Sequence, residues 1–337
     1  ARSLNIDLVV VGPENPLALG IGDHFQTLGI PIFGPSQAAA QIEASKIFAK
    51  ELMLKYGIPC AKSRTFTSLN EAKDYVKLQR PPIVIKADGL AAGKGVIIAR
   101  SQQEAQAALS DMLEKRAFGA AGDRVLIEEC LSGREVSLLA FTDGNTVVPM
   151  VPACDYKRRD DNDEGPNTGG MGGYSPPGFF DETLIKQVQK TVLEPVIAAM
   201  AHEGRTYKGV LYAGLMLTDE GPKVLEFNAR FGDPETQVIL PRLETDLVEI
   251  MLAVVSGNLD KIRIKWSTQA CVGVVMASGG YPGNYKTGIS IQGLDKLPPE
   301  IMVFHAGTLQ GATPGIVLTD GGRVLTVVAN GNSIAQA

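Results

Sequence analysis

Two apolar, β-branched runs, Pro82 to Ala87 and Gly95 to Ala99, are separated only by Asp88-Gly89-Leu90-Ala91-Ala92-Gly93-Lys94. So short a link, rich in small residues, returns the chain on itself, and the two runs fold as a β-hairpin. Glycine beside lysine also points to phosphate, because backbone N–H groups and an ammonium neutralise an anion at short range. A Walker A loop is excluded: it needs four residues between its glycines, then Lys and Ser or Thr, and it opens a helix. Here three residues separate Gly89 from Gly93, Gly95 follows Lys94, and both flanks are strand-like. Such a hairpin is a flap able to close over a triphosphate. Taken alone, the same residues also describe a glycine-rich turn with an exposed lysine.

At 337 residues the chain exceeds one ordinary domain of roughly 100–200 residues. Lys and Arg (32) are outnumbered by Asp and Glu (37), a formal charge of −5, which argues against affinity for nucleic-acid phosphates. No apolar run approaches the ~20 residues of a membrane helix, so no membrane association is expected. Cys60, Cys130, Cys154 and Cys271 are scattered without a CxxC pair, as expected of reduced thiols in a cytoplasmic protein. Glycine, at 37 residues, is unusually frequent and asks for closely approachable backbone.

Along the chain, a strand over Ile6 to Val11, a helix from Leu17 to Leu28 and a strand from Ile30 to Phe33 make a parallel α/β unit. Ser36 caps a long helix running to about Tyr56, and Ser68/Glu71 and Ser101/Glu104 form capping boxes. A strand from Arg124 to Glu129 precedes a hairpin turning at Thr142 to Asn145. Residues 154–178 are polar, rich in Gly and Pro, and long enough to predict a functional loop. A helix from Asp181 to His202, kinked at Pro195, two strands (Gly209 to Leu217, Lys223 to Asn228) and a helix from Glu235 to Ser256 follow. From about Lys261 the pattern becomes β-rich.

In the run Leu225-Glu226-Phe227-Asn228-Ala229-Arg230, strand alternation puts Glu226 and Asn228 on one face and Leu225 and Phe227 toward the core. A carboxylate and an amide oxygen side by side suit a hard cation completed by phosphate and water. Arg230 follows, with a planar fork matched to carboxylate or phosphate. The same residues also fit an edge strand with a solvated polar face. The strand ending Glu128-Glu129 is weaker, since carboxylates at strand ends are common. Asp155-Tyr156-Lys157 and the segment Gly165 to Gly173 offer charge and approachable main chain, and the acidic run Asp160 to Glu164 reads as solvated.

Together these runs resemble the ATP-grasp ligases, and among them the phosphoribosylamine–glycine ligase family. The resemblance rests on six ordered segments: Gly12 to Leu17, Ser45 to Lys50, Lys86 to Val96, Glu128 to Glu135, Gly165 to Gly172 and Glu226 to Glu235. It implies an α/β and α+β multidomain chain. Residues 1–45 would be the remnant of an N-terminal parallel α/β (pre-ATP-grasp) domain, 46–260 an ATP-grasp domain with its flap-bearing lobe at about 60–133, and 261–337 part of a β-rich C-terminal domain. It implies ATP, glycine and 5-phosphoribosylamine as substrates and Mg²⁺ or Mn²⁺ as cofactor. Lys46, Lys86, Gly89, Gly93, Lys94 and Gly95 would hold the ATP phosphates, main chain at Glu128 and Leu131 the adenine edge and Glu135 the ribose, with Glu129 also among the ATP-binding residues. Glu226 and Asn228 would bind metal. Arg230, Lys86 and Asp155 would serve catalysis, and Glu14, Pro16, Asp155, Lys157, Asn167, Thr168, Gly169, Gly170 and Arg230 the substrates.

The chain departs from the family in several places. It carries no opening glycine-rich turn ending in Arg-Glu-His, so it is expected to be a fragment. Position 156 is Tyr rather than His, Cys154 replaces a polar residue, and Leu211 to Leu217 lacks an additional metal-binding acid. His24, His202 and His305 have no motif partners. Two other functions fit the residues: another ATP-grasp ligase acting on bicarbonate, formate or a different amine, and a non-catalytic nucleotide-binding module.

Overall fold

The computed structural model describes residues 1–90 and 95–337. Two compact units are present: residues 1–149, 182–231 and 248–262 form the first, and residues 150–181, 232–247 and 263–337 the second. No helix among the described residues is long and apolar enough to cross a membrane.

The first unit opens with the expected parallel pair, reduced to Val9–Val10 and Ile32–Phe33. The helix expected from Leu17 to Leu28 is two, Glu14–Ala18 and Ile21–Thr27. They break at Gly20, whose φ of +87° lies in the left-handed region that glycine adopts without strain. The long helix capped by Ser36 is likewise two, Gln37–Ala44 and Lys46–Lys55. Ser45 stands between them in extended conformation: its hydroxyl accepts from the Phe48 N–H (3.1 Å) and donates to Asp88 Oδ1 (2.8 Å). A serine that can cap a new helix and meet a distant carboxylate competes with continuing the old one.

An antiparallel sheet in the order Ser63–Phe66, Val125–Glu129, Ile83–Ala87, Val96–Ala99 contains the predicted hairpin. One face packs on helices Leu69–Lys77 and Gln102–Leu109 through Ile83, Ile85, Val125 and Ile127. Each such side chain contributes roughly 1.5–3 kcal/mol by leaving water. Both helices begin as predicted: Ser68 and Ser101 accept from Glu71 and Glu104, and the Glu104 carboxylate reaches back to the Arg100 N–H.

The central sheet, Gly221–Asn228, Gly209–Thr218, Arg134–Thr142 and Val147–Pro149 in that order, is antiparallel throughout. Between its halves the helix expected to kink at Pro195 instead widens into a π turn at Gln189–Leu193, ahead of Glu194–His202. The helix expected from Glu235 to Ser256 is interrupted: Thr236–Ile239 tightens into a 3₁₀ turn at Leu240–Arg242, and Leu247–Ser256 begins anew. Pro241 cannot continue the i→i−4 ladder.

In the second unit, residues 154–178 prove not to be a loop. Cys154–Asp155 and Gly172–Ser175 are strands of a five-stranded sheet with Ala270–Ala277, Arg323–Gly331 and Met302–His305. Arg158–Asp160 and Glu164–Asn167 form an exposed hairpin that turns at the acidic run. Period-2 alternation cannot announce a strand that opens on Gly172 and Gly173, the latter opposite Gly273, because these residues carry no side chains to alternate.

Candidate active site

Register puts Lys86, Leu126 and Glu128 on the hairpin sheet's other face, away from the helices. There Lys86 Nζ lies 2.6 Å from Glu128 Oε2 and donates to the Leu225 carbonyl at 2.9 Å. Lys50 Nζ sits 2.6 Å from Glu128 Oε1, off the axis of a hydrogen bond, and donates to Ala61 O at 3.1 Å. All three side chains are less than a tenth exposed, so one positive charge is buried in excess. Buried charge is stable only with compensation, and a bound phosphate would supply it. The sequence reading assigned Lys50 no role and Glu128 only its main chain; the structure makes the Glu128 carboxylate the link between two lysines.

The helix break at Ser45 secures the base of the flap. Asp88 accepts from the Ser45 hydroxyl and the Ile47 N–H and is ion-paired with Arg124. Lys46 Nζ donates to Gly89 O at 2.7 Å. Burial lowers the Lys46 pKa, Lys86 adds to that, and Glu226 opposes it. Gly95 closes the hairpin by accepting from the Ala87 N–H, whereas Gly93 and Lys94 lie outside the described residues.

In the central sheet Glu226 pairs with Gly214, and Gly214 with Ser137. Alternation from that row brings Glu135, Glu226 and Asn228 to one face. A bulge at Leu225 corrects the predicted inward pattern: Val224 and Phe227 are buried, and Leu225 is only partly so. Among the described residues neither the Glu226 carboxylate nor the Asn228 amide has a hydrogen bond or ion pair. Two adjacent oxygen donors that form no hydrogen bond or ion pair among the described residues fit a hard divalent cation.

Arg230 follows this strand. Its Nε donates to Glu14 Oε2 (2.8 Å), its Nη1 to Phe231 O (3.1 Å), and its Nη2 lies 3.4 Å from Glu43 Oε1. The other Glu43 oxygen accepts from the Ala229 N–H at 2.7 Å. Glu43 was missed in the sequence reading. Its signal was position: three and four residues after the buried Ala40 and Ala39, a carboxylate stands on an apolar helical stripe. Burial raises the Glu43 pKa from the ordinary 4.5 to about 7, against Arg230 and the Ala229 N–H, with Glu14 and Glu226 adding to the rise. The folded chain therefore keeps a proton between pH 4.5 and 7 that the unfolded chain releases. This contribution favours folding at low pH and is lost as pH rises through that window. In metal-free protein, the stability advantage of wild type over Glu43→Gln should fall by about 3 kcal/mol between pH 4.5 and 7.5. Thermal unfolding across that range measures it, and a pH-independent difference would sink the assignment.

The second unit holds the remaining candidates. Lys157 Nζ meets Asp155 Oδ1 at 2.9 Å. Thr168 bonds back to Lys157 O through both its N–H (2.7 Å) and its hydroxyl (2.8 Å). Gly169 N–H donates to the Tyr281 hydroxyl and Gly170 N–H to Thr168 Oγ1, so both amides are engaged within the protein. Asn167 is exposed at the hairpin end. In the first unit, Pro16 lies in the short helix with Glu14, and the Glu129 carboxylate accepts from the Lys62 N–H. Leu131 follows the strand Val125–Glu129. His24, His202 and His305 are exposed, the last two paired with Tyr56 and Thr308.

A lysine-bearing hairpin sheet and a separate sheet carrying a Glu-x-Asn strand are the two halves by which ATP-grasp ligases are known, and that is the class of this chain. The fold agrees with the biotin carboxylase of Campylobacter jejuni, at a TM-score of 0.77 and 16% identity over 98% of this chain and 72% of that one. Three sequence profiles then match in order: phosphoribosylglycinamide synthetase N domain at residues 1–43, ATP-grasp (A) domain at 44–236 and C domain at 271–337. The chain belongs to the phosphoribosylglycinamide synthetase family. It is 52% identical over 337 residues to the phosphoribosylamine–glycine ligase of Halalkalibacterium halodurans, covering 100% of this chain and 78% of the relative. It is 50% identical over 340 residues to that of Vibrio cholerae, covering 100% and 79%. The crystal structure of the Thermotoga maritima phosphoribosylamine–glycine ligase superposes with a TM-score of 0.83 at 36% identity, covering 91% of this chain and 76% of that one.

Proposed function

We propose that the chain joins glycine to 5-phosphoribosylamine at the expense of ATP, a step of purine biosynthesis. A glycine carboxylate oxygen attacks the γ-phosphorus and the β–γ bridging P–O bond breaks, leaving glycyl phosphate and ADP. The phosphoribosylamine nitrogen then attacks the acyl carbon, phosphate departs with the C–O electron pair, and the nitrogen loses a proton as the amide of glycinamide ribonucleotide forms. A carboxylate resists an amine until its oxygen becomes a good leaving group. Phosphoryl transfer itself needs positioning and charge neutralisation more than a protein nucleophile.

In this reading Lys46, Lys86 and the flap from Gly89 through Gly93, Lys94 and Gly95 hold the phosphates, with Lys50 and Glu128 keeping Lys86 in place. Main chain at Glu128 and Leu131 meets the adenine edge and Glu135 the ribose, with Glu129 beside them in the ATP site. Glu226 and Asn228 hold Mg²⁺ or Mn²⁺, which when bound supplies charge neutralisation to the transferring phosphoryl group. Arg230 and Asp155, with Lys157 and Asn167 to Gly170, orient glycine and phosphoribosylamine, and Glu14 and Pro16 lie on the sugar side. The linear partition at residues 45 and 260 is the functional one we propose.

The observation that carries this reading is the ordered match of all three family domains along one chain. ADP release that depends on glycine, with amide formation only when phosphoribosylamine is present, is the expected result. Release with bicarbonate or formate instead, or nucleotide binding without turnover, would replace it. Chelation of divalent cations should abolish turnover and leave the melting temperature of the nucleotide-free protein within a few degrees, because neither Glu226 nor Asn228 makes a side-chain hydrogen bond or ion pair among the described residues. Full activity in chelator would remove the cation from the account.

A further inference from the structure

We propose that Arg323, outside every motif that marks the family in this chain, is a positioning residue for the acceptor half of the reaction. It clasps the Gly169–Gly170 turn to Asp233. This rests on the reading that residues 167–170 hold glycine or phosphoribosylamine. Arg323 Nη1 donates to Gly169 O at 2.6 Å and to Asp233 O at 2.9 Å, and its Nη2 meets Asp233 Oδ2 at 2.8 Å. The second Asp233 oxygen accepts from Gln237 Nε2 at 2.8 Å, so the carboxylate is held from both sides.

Two details show that the surroundings are shaped for this clasp. A register shift, Met276 opposite Leu325 but Ala277 opposite Arg323, makes Val324 an extra residue and re-aims Arg323 at the end of its strand. The turn is tightest at Gly170, where backbone and space both require glycine, while at Gly169 a side chain would press on the guanidinium itself. A Cβ on Gly169 would stand 2.9 Å from Arg323 Cζ, and one on Gly170, at φ +108°, 2.5 Å from Pro234 Cδ. Arg323 thus joins two segments that carry the family resemblance, Gly165 to Gly172 and Glu226 to Glu235. A planar fork that reaches a carbonyl on one side and a carboxylate on the other is something lysine cannot reproduce.

The test compares wild type, Arg323→Lys and Arg323→Met. We expect the KM for glycine or phosphoribosylamine to rise at least tenfold in both variants while the KM for ATP changes less than twofold. Arg323→Lys should recover melting temperature but not the KM. Unchanged substrate KM values, or a loss in which all parameters fall together with the melting temperature and lysine restores them, would overturn the proposal. Amide hydrogen exchange without substrates supplies an independent readout. Gly169 and Gly170 should exchange at least tenfold faster in Arg323→Met while Ala270–Ala277 keeps its protection, and unchanged exchange would overturn the clasp. If exchange accelerates but the wild type shows no glycine-dependent ADP release, the clasp stands and the proposed reaction fails.

Discussion

Glu226→Ala should lower kcat by about 10³-fold or more, equivalent to about 4 kcal/mol of transition-state stabilisation. Two oxygen donors on this strand would hold the cation, and the carboxylate is the charged one. Without it, the transferring phosphoryl group loses neutralisation worth several kcal/mol. Stability should hardly change, because Glu226 is exposed and makes no hydrogen bond among the described residues. Loss of turnover at unchanged melting temperature therefore separates a ligand role from a structural one. Near-normal kcat at saturating Mg²⁺ would refute the metal assignment.

Lys86→Met should act on ATP. It removes one of the two ammonium groups around Glu128, so the buried cluster falls from one excess positive charge to none. A charge-assisted bond to phosphate is worth roughly 1.5–3 kcal/mol, so the KM for ATP should rise about 10- to 100-fold. Glu128 keeps Lys50 as its partner, and methionine fills the space of the lysine stem, which limits the loss of stability. Lys50→Met makes a useful comparison: it deletes the same charge from the same carboxylate, on the side facing Ala61. An equal rise in both variants would indicate a long-range field, and a rise confined to Lys86→Met a direct contact. Unchanged ATP dependence in Lys86→Met would count against its phosphate role.

Much of the candidate site was legible because its signals are local. The hairpin around Gly89 to Gly95, the Glu226-x-Asn228 spacing and the serine caps each depend on residues within a few positions of one another. Ser45 was harder to place. Its neighbours on both sides favour a helix, and its capping bond to the Phe48 N–H is joined by a second partner, Asp88, that lies 43 residues away. The strand Gly172–Ser175 was hidden by its glycines, and the bulge at Leu225 by an alternation that looked regular.

Sequence by itself determined the flap hairpin, the serine-capped helix starts, most strands outside residues 154–178 and, through the order of its motifs, the family to which the chain belongs. Tertiary structure alone decided which charges meet. Glu43 reaches Ala229 across 186 residues, Arg230 reaches Glu14 across 216, Lys86 reaches Leu225 across 139, and Arg323 reaches Gly169 across 154. The physical reason is range. Periodicity and capping record hydrogen bonds between near neighbours in the chain, whereas a buried carboxylate is stable only where the fold delivers a cation or an N–H to it, and nothing in its immediate sequence says which one.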